Sequence, residues 1–495
     1  MQASARMRRV VLLASLGAGA SAIAACGSDS GSSDLDGGPT GDAGDPNALT
    51  CEHASGSRIK RVLLQHEDGT SDVLRLHDSE IGETCQFGLA ADGSLRCIPR
   101  ADGTPVASGR LMYTDAACTQ PVARLDGALA DPAPTIMQQL KAADCAQVAS
   151  HWELGNVQVV EPGVTALYNL DNAGTCSQVL ADGNPYVQVT REIPADELVA
   201  GTESWVGGRL QIRQVDGDDG SRWCDVIGAM QDQELDHLCG LVYGEDRAIR
   251  CLPLQRSTTS VFSDAACTTA FPAVITSPTC DTGYRFTWEG AGECGEVRVR
   301  ALGAEVTEPI YQMGEMCQQQ PLDDEQRVYR VGPAVSGTSF GELTREYLDV
   351  GARLERGDLT GAGVRLFRLQ WRDTMLDAPC AFDTATDGVE RCLPNDTPDS
   401  PVADVTTYYS DNACTATVTV GTWTSTCSPG LTPRFARELL DEGARIHPVE
   451  GPASALYELD GSGTCVALAD LTGLYALGTP LSDTDMIGGE VVIDE

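Results

Sequence analysis

The sequence predicts an all-β protein built from three tandem repeats that disulfide bonds hold together. Two observations lead to this prediction. A framework of cysteines occurs three times in the same order, and short runs that alternate apolar with polar residues, such as Leu74-Arg75-Leu76-His77, are bounded by Asp-Gly turns. The 52 glycines and 25 prolines of the chain interrupt these runs, as is typical between the strands of β-sheet proteins.

Each copy of the framework begins with two cysteines that eleven residues separate, the second followed by an aliphatic residue and proline. A third cysteine then occurs in an Asp-x-Ala-Cys-Thr turn, and two further cysteines follow. The equivalent cysteines are Cys85, Cys97, Cys118, Cys145 and Cys176; Cys239, Cys251, Cys267, Cys280 and Cys317; and Cys380, Cys392, Cys414, Cys427 and Cys465. Cys51, Cys224 and Cys294 lie outside the pattern.

Each repeat also opens with a similar strand, which contains Arg58, Arg209 or Arg353. A fourth occurrence of this strand, Gly488-Gly489-Glu490-Val491-Val492, stands near the end of the sequence with no repeat after it. We expect it to complete a sheet begun either in the last repeat or in the first. The second arrangement would close a ring and protect its edges.

We therefore divide the folded part into repeats 51–200, 201–345 and 346–495, the last including the closing strand. Two architectures fit this division. One is a single propeller-like ring with more than one blade in each repeat, and the other is three consecutive small β domains. Short helices are predicted only at 134–143, 342–350 and 433–442.

The N-terminus carries an export signal. Three arginines before residue 10 precede an apolar run that ends in Ile23-Ala24-Ala25-Cys26-Gly27, and the run is too short to span a bilayer. This pattern resembles the signal peptide and lipobox of bacterial lipoproteins. The resemblance implies that residues 1–25 are removed and that Cys26 carries the lipid. In such lipoproteins an aspartate two places after the start favours retention in the inner membrane, but here Gly27 and Ser28 follow Cys26. We therefore expect the outer membrane, and the sequence leaves open whether the protein is on its surface or its periplasmic face.

Residues 26–50 consist mostly of Gly, Ser, Asp and Pro, a composition that cannot bury enough apolar surface to fold. They are expected to form a disordered tether between the lipid and the repeats. Membrane lipid bound through Cys26 is then one partner of the protein, and acyl chains would be its anchor.

Setting Cys26 aside leaves an even number of cysteines among the 19, which in an exported chain predicts disulfides. We propose hairpin pairs Cys85–Cys97, Cys239–Cys251 and Cys380–Cys392. We propose that the third and fourth cysteines also pair, as Cys118–Cys145, Cys267–Cys280 and Cys414–Cys427. Cys176, Cys317 and Cys465 would then each take one of the three cysteines outside the pattern.

The formal net charge of −38 repels phosphate backbones, so nucleic acid is excluded as a partner. We expect no cofactor. Cys51-x-His53 and Asp236-His237-Leu238-Cys239 have some character of metal ligands, but their spacing does not follow zinc sites, and we predict no metal. Asp216-Gly217-Asp218-Asp219-Gly220 lacks the later ligands of a calcium loop and is interpreted as an exposed acidic hairpin tip.

We predict no catalytic residues. Gly337-Thr338-Ser339-Phe340-Gly341 matches the nucleophile pattern Gly-x-Ser-x-Gly, yet that pattern needs a strand before it and a helix after it. His447 is the only histidine after Ser339. Asp115, Asp264 and Asp411 recur before Ala-Ala-Cys or Asn-Ala-Cys, and we interpret them as side chains that cap a turn.

The lipobox, the acidic tether and the recurring cysteine turns together resemble cysteine-rich repeat lipoproteins of the myxobacterial type. That resemblance implies a location in the cell envelope and no known activity. We expect a non-catalytic binding or display protein, with a glycan, peptidoglycan or a protein as its ligand. The alternatives are a structural envelope lipoprotein without a specific ligand and a secreted hydrolase.

Overall fold

The computed structural model describes residues 49–494, apart from 101–105, 127–132, 144–145, 159–161, 163–164, 172–173, 227, 229, 254–257, 277–284, 291–295, 315, 323–325, 398–399 and 424–429. Every regular element in these residues is a β-strand or a single 3-10 turn. The predicted all-β fold class is therefore confirmed. The signal peptide, Cys26 and nearly all of the tether lie outside the described residues.

The elements follow a similar order in each repeat, although the described residues of repeat 1 contain no first strand equivalent to β12 and β25, and β25 begins before the predicted boundary at residue 346. Repeat 1 contains β1 (Ile59–His66), β2 (Ser71–Asp78), β3 (Glu83–Leu89), β4 (Leu95–Pro99), β5 (Val106–Tyr113), β6 (Pro121–Leu125), β7 (Ile136–Ala143), β8 (Ala146–Gln158), β9 (Ala166–Leu170), β10 (Cys176–Leu180), β11 (Tyr186–Ile193) and the 3-10 turn η1 (Ala195–Glu197). Repeat 2 contains β12 (Gly201–Gly207), β13 (Leu210–Gly217), β14 (Arg222–Cys224), β15 (Met230–Asp232), β16 (His237–Tyr243), β17 (Ile249–Pro253), β18 (Thr258–Phe262), β19 (Ala270–Thr276), β20 (Phe286–Gly290), β21 (Val297–Glu305), β22 (Tyr311–Met313), β23 (Cys317–Gln319), β24 (Arg327–Ala334) and η2 (Gly337–Ser339). Repeat 3 contains β25 (Glu342–Asp349), β26 (Leu354–Gly361), β27 (Val364–Asp373), β28 (Ala378–Thr384), β29 (Glu390–Pro394), β30 (Val402–Tyr409), β31 (Thr417–Thr422), β32 (Phe435–Leu440), β33 (Gly443–Pro452), β34 (Tyr457–Leu459), β35 (Cys465–Ala467), β36 (Leu474–Leu477), η3 (Asp483–Asp485) and β37 (Gly488–Ile493).

One set of strands from all three repeats forms a continuous sheet. Its order is β12-β13-β15-β16-β17-β25-β26-β27-β28-β29-β37-β1-β2-β3-β4, with β14 paired to β13. The two ends of this order meet beside β4. Arg96 and Ala200 form an antiparallel β-bridge, and the Cys97 N–H donates to the Val199 carbonyl at 3.0 Å. The sheet is thus a closed ring to which the repeats contribute equivalent strands.

The last strand completes the ring between the third repeat and the first. β37 pairs with β29 through Arg391 and Gly488, and with β1 through five residue pairs from His66 to Val62. The equivalent pair one repeat earlier is Arg250 with Glu342 in β25. β37 is therefore the counterpart of β12 and β25, and our assignment of it as a fourth copy of the opening strand was wrong. The sequence left open whether this strand completes a sheet in the last repeat or in the first, and β37 pairs with both and so closes the ring.

In each repeat one ring hairpin, β1–β2, β13–β14 or β26–β27, contacts the start of the Arg-containing opening strand of another repeat. The Asp219 carboxylate accepts the N–H groups of Arg58 and Ile59, and the Asp68 carboxylate accepts those of Arg353 and Leu354. The third junction uses backbone alone, with the Gly208 N–H donating to the Gly363 carbonyl at 2.9 Å. A Cβ on Gly208 would lie 2.8 Å from the Gly363 Cα, so this junction requires a glycine.

These docked hairpins give the ring segments shared cores. Val215 of repeat 2 is buried with Ile59 and Phe87 of repeat 1, and Leu359 of repeat 3 is buried with Leu210 and Ile212 of repeat 2. Because apolar surface from two repeats is removed from water in each core, the free energy of unfolding of one segment depends on its neighbour.

Each repeat also contains a smaller sheet between its ring strands. In repeat 1 the strands β5, β6, β11, β8 and β7 close into a five-stranded barrel, since β7 returns to pair in parallel with β5. Repeat 3 forms the same barrel from β30, β31, β36, β33 and β32. In repeat 2 the corresponding strands β18, β19, β24, β21 and β20 lie in one sheet in the described residues. The structure therefore combines a ring with inserted small β domains, where the sequence had left these as alternatives.

The three predicted helices are wrong. Residues 136–143, 342–349 and 435–440 are the strands β7, β25 and β32. In β25 the buried Leu343 stands between the exposed Glu342 and Thr344, which is the period of a strand. Pairing with neighbouring strands overrides the helix propensity of these segments, because that propensity is a weak preference.

Among the described residues, no helix is long and apolar enough to cross a membrane.

Candidate binding site on the outer hairpins

The Asp-x-Ala-Cys-Thr turn connects the first two strands of the smaller sheet in each repeat, which are β5 and β6, β18 and β19, or β30 and β31. Asp115 accepts hydrogen bonds from the backbone N–H groups of Thr119 and Gln120, at 2.9 and 2.7 Å. Asp264 and Asp411 make the equivalent contacts in their repeats. These donors are neutral and hold the pKa of all three carboxyls below its usual value, against the opposing effect of desolvation. The aspartates therefore cap a turn, as the sequence predicts, and stay negatively charged.

The third cysteine of each repeat stands inside this turn with a left-handed backbone. The φ angles of Cys118, Cys267 and Cys414 are 51°, 50° and 51°. A non-glycine residue is uncommon in this region, so the turn is a specific structure that the sequence reproduces three times.

A disulfide joins each turn to the outer hairpin of its repeat, by which we mean β9–β10, β22–β23 or β34–β35. The bonds are Cys118–Cys176, Cys267–Cys317 and Cys414–Cys465. They correct three pairings proposed from sequence, namely Cys118–Cys145, Cys267–Cys280 and Cys414–Cys427. Cys145, Cys280 and Cys427 lie outside the described residues.

The physical reason for the correction is the order of strands around β5. β9 of the outer hairpin pairs with β5 through Tyr168 and Tyr113. Tyr113 is the last residue of β5, so the outer hairpin lies next to the turn that follows β5. This brings the Cα of Cys176 to 6.0 Å from that of Cys118, within the usual span of a disulfide.

The other proposed disulfides divide into two groups. Cys85–Cys97, Cys239–Cys251 and Cys380–Cys392 are bonded across ring hairpins, where they are buried. Cys51 is bonded to Cys224, which contradicts the idea that each would pair with a fifth cysteine. This bond ties the segment before β1 to the second repeat.

The outer hairpins place a large apolar side chain in the same exposed position three times. The exposed fraction is 42% for Leu170, 53% for Met313 and 50% for Leu459. Each of these residues lies directly across the hairpin from the disulfide cysteine, Cys176, Cys317 or Cys465. Two positions earlier on the same strand, and hence on the same face, stands a half-buried tyrosine, Tyr168, Tyr311 or Tyr457.

The outer strand of each hairpin is also the edge of its sheet. In the described residues β10, β23 and β35 each have one neighbouring strand, the other member of the hairpin. Their outward backbone groups therefore face away from the sheet. A turn, a disulfide, an aromatic–aliphatic face and a strand edge thus form one candidate binding site, which is present in each repeat.

A second feature that occurs three times is an ion pair between an arginine and a buried aspartate. The sequence analysis noted the arginines but not their aspartate partners. The guanidinium groups of Arg58, Arg209 and Arg353 each bind a fully buried carboxylate, that of Asp78, Asp232 or Asp373. The pair in repeat 2 has an Nη2–Oδ2 distance of 2.9 Å, and Asp232 also accepts the N–H groups of Glu234 and Leu235. The signal was available, since each aspartate opens an Asp-x-x-(Ile/Leu) sequence shortly before a framework cysteine.

The candidate nucleophile Ser339 lies at the end of η2, the 3-10 turn before β25, and the equivalent turns η1 and η3 precede β12 and β37. The Ser339 carbonyl accepts a hydrogen bond from Arg209 Nη2 at 2.6 Å. His447 is in β33 of the third barrel, where its Nε2 lies 3.2 Å from Glu438 Oε2. A strand follows η2 where a nucleophile elbow requires a helix, so this arrangement does not support acyl-transfer chemistry at Ser339.

The candidate metal ligands serve other contacts. Cys51 and Cys239 are in disulfides, and the Cys224 N–H donates to His53 Nδ1 at 3.2 Å. His237 packs against Phe286 and Phe340. The described residues contain no group of three or more potential ligands arranged to hold a metal ion. The interpretation of residues 216–220 as an exposed acidic hairpin tip is wrong in part, because the Asp219 carboxylate accepts the N–H groups of Arg58 and Ile59 in repeat 1.

Two histidines, the buried His151 and the half-buried His53, have lowered pKa values. Burial lowers the pKa of His151 to about 4, although the Pro99 carbonyl 2.9 Å from its Nε2 favours the protonated ring. Burial also lowers the pKa of His53 to about 4, with a contribution from Arg61. Both rings contact backbone groups of the fold, His151 the Pro99 carbonyl and His53 the Cys224 N–H.

The fold and the site together define a disulfide-bonded, all-β repeat protein in which a closed ring carries three copies of one exposed hairpin site. The chain belongs to a family of unknown function, DUF7481, whose model matches residues 40–481. No curated protein and no solved structure matches the chain.

Proposed function

We propose that this protein is a lipid-anchored, non-catalytic binding protein of the bacterial cell envelope, held in the outer membrane through Cys26. The observation that carries the proposal is the repetition of the outer-hairpin site. A ring that needed only durability would not require an exposed leucine or methionine at Leu170, Met313 and Leu459, each beside a half-buried tyrosine on the same face, because contiguous apolar surface is typical of contact sites.

The arrangement favours binding over display of a single epitope. Three equivalent sites on one rigid frame bind a ligand with repeated units more tightly than one site does, since the second and third contacts become intramolecular. Glycans, peptidoglycan and envelope proteins are all repetitive or abundant at this location, so they remain the ligand classes to test.

The binding claim is tested by incubating the mature chain, with Cys26→Ala to keep it free of lipid, with isolated cell envelopes and with purified peptidoglycan. A saturable isotherm that unlabelled protein competes away supports the proposal. Retention that rises linearly without saturation, or no retention on either material, favours the alternative of a structural lipoprotein without a ligand.

The anchor is tested separately by growing cells that express the full chain with a radiolabelled fatty acid. Label should appear on the wild-type chain and on a Ser28→Ala control but not on Cys26→Ala. Protease treatment of intact cells then distinguishes the outer surface, where the protein is digested, from the periplasmic face, where it is protected. Label on the Cys26→Ala chain would exclude Cys26 as the lipidated residue.

A further inference from the structure

We propose that each outer hairpin binds a cationic polypeptide segment in extended conformation, which adds as a further strand to the edge formed by β10, β23 or β35. This inference rests on the proposed binding function and names its ligand class. It combines three properties of the hairpin: its strand edge, its exposed apolar face and its charge.

The strand edge supplies the main-chain contacts. β10 runs from Cys176 to Leu180 and pairs on one side with β9. On its other side an extended segment would find backbone donors and acceptors at the spacing of a strand, which is how strand addition gives affinity. The disulfide to Cys118 and the turn around it hold the hairpin in place before the ligand arrives, so little conformational entropy is lost on binding.

The apolar face supplies contacts for alternate side chains of the ligand. In β9 the exposed Leu170 and the half-buried Tyr168 point to one side, and across from them lie Cys176 and Gln178. Leu180, exposed by 59%, continues this face at the far end of β10. A segment with an apolar residue at every second position would cover this surface.

The charge of the hairpins determines the sign of the ligand. The outer hairpins and the adjoining turns, residues 113–121, 165–181, 262–270, 310–320, 409–417 and 455–468, contain no lysine and no arginine. They contain carboxylates in every repeat, among them Asp115, Asp264 and Asp411, whose hydrogen-bond donors are neutral. The negative charge of the turn therefore remains available to lysine or arginine side chains of the ligand.

The experiment uses the mature chain with Cys26→Ala and a fluorescent octapeptide in which lysine and leucine alternate, measured by anisotropy at physiological salt. Three reference peptides separate the contributions. Glutamate replaces lysine in the first, serine replaces leucine in the second, and alternate amides are N-methylated in the third so that the ligand strand loses donors. We expect each reference peptide to bind at least about tenfold more weakly than the lysine–leucine peptide.

A triple variant locates the site. Leu170→Ser, Met313→Ser and Leu459→Ser together should weaken binding about tenfold, the effect of losing one buried aliphatic contact at each site. The matched control is Leu74→Ser, Met375→Ser and Val491→Ser, three substitutions of exposed apolar residues on the ring. This control should leave the affinity within about twofold. Because all six side chains are exposed, both variants should fold.

Equal weakening by the two triple variants, or equal affinity for the lysine and glutamate peptides, overturns the inference. If the lysine–leucine peptide does not bind but the same protein still binds envelopes or peptidoglycan saturably, the ligand class is wrong and the binding function stands. If neither peptide nor envelope material is bound, the binding function itself fails.

Discussion

The Asp219 carboxylate lies 2.6 Å from the backbone nitrogen of Ile59, a residue 160 positions earlier in the chain. This contact joins the first hairpin of repeat 2 to the opening strand of repeat 1. Asp68 makes the same contact between repeats 1 and 3. Burial acts to raise the pKa of Asp219, but hydrogen bonds from Ser221, Ile59 and Arg58 outweigh it and lower the pKa.

The first prediction concerns acid. A carboxyl with a lowered pKa stabilises the fold above its unfolded pKa near 3.8, and this contribution is lost as the pH falls through the folded value. Asp219→Asn should reduce the free energy of unfolding at pH 7 by about 2 kcal/mol, because charge-assisted hydrogen bonds are lost. Urea unfolding should also show that the free energy of unfolding of this variant falls less than that of the wild type between pH 4 and pH 2. Asp218→Asn, at the exposed neighbour, is the control. Identical pH profiles for the wild type and Asp219→Asn would contradict the prediction.

The second prediction concerns the buried Arg–Asp pairs. Arg209→Met leaves the fully buried Asp232 carboxylate without its cation, which should cost about 3–5 kcal/mol in the free energy of unfolding. Arg191 bridges Glu153 and Glu197 with all three side chains more than 40% exposed. Arg191→Met should therefore cost under about 1 kcal/mol. Chemical denaturation of both variants measures the difference, and similar losses would show that burial of the pair is not decisive.

The third prediction concerns His151, which is 1% exposed. Its folded pKa of about 4 lies below the unfolded value of 6.5, so unfolding takes up a proton between these values and stability is lost as the pH falls from 6.5 towards 4. The loss from this group amounts to about 3 kcal/mol. His151→Gln keeps an N–H donor for the Pro99 carbonyl and removes the titration. Its stability should fall less than that of the wild type from pH 7.5 to pH 4.5, and parallel curves would refute the assignment.

The fourth prediction concerns the turn disulfide of the first repeat. Cys118 and Cys176 are 58 residues apart, and replacing both by alanine should destabilise the first barrel by about 4 kcal/mol on the chain-entropy model. Hydrogen exchange should speed up in β5, β6 and β9 to β11, with little change in the third barrel. Uniform acceleration in all repeats would mean that the barrels do not unfold separately.

The fifth prediction concerns ring closure. Deleting residues 488–495 removes β37 and exposes the edges of β1 and β29. We expect faster amide exchange in both strands and self-association, since free strand edges pair with other chains. Val491→Ser, on the same strand at a 48% exposed position, should leave both properties near those of the wild type. A deletion variant that stays monomeric with unchanged exchange in β1 would show that β37 is dispensable.

The outer-hairpin site was only partly predictable from the sequence. The recurring aspartates were correctly interpreted as turn caps, because an aspartate side chain bonds backbone within a few residues of itself. The exposed positions of Leu170, Met313 and Leu459 were not predicted. Exposure of a strand residue depends on which sheet face is covered, and that is decided by packing.

The sequence by itself determined the features that depend on near neighbours. The period of two in the apolar residues, the Asp-Gly turns and the short loop between Cys85 and Cys97 sufficed for an all-β fold in three repeats with disulfides across hairpins. Only the tertiary structure decided the pairing of Cys118 with Cys176, the docking of Asp219 on Ile59 and the strand at Glu342–Asp349. These depend on which distant strands become neighbours, and local propensity contributes too little free energy to choose among such pairings.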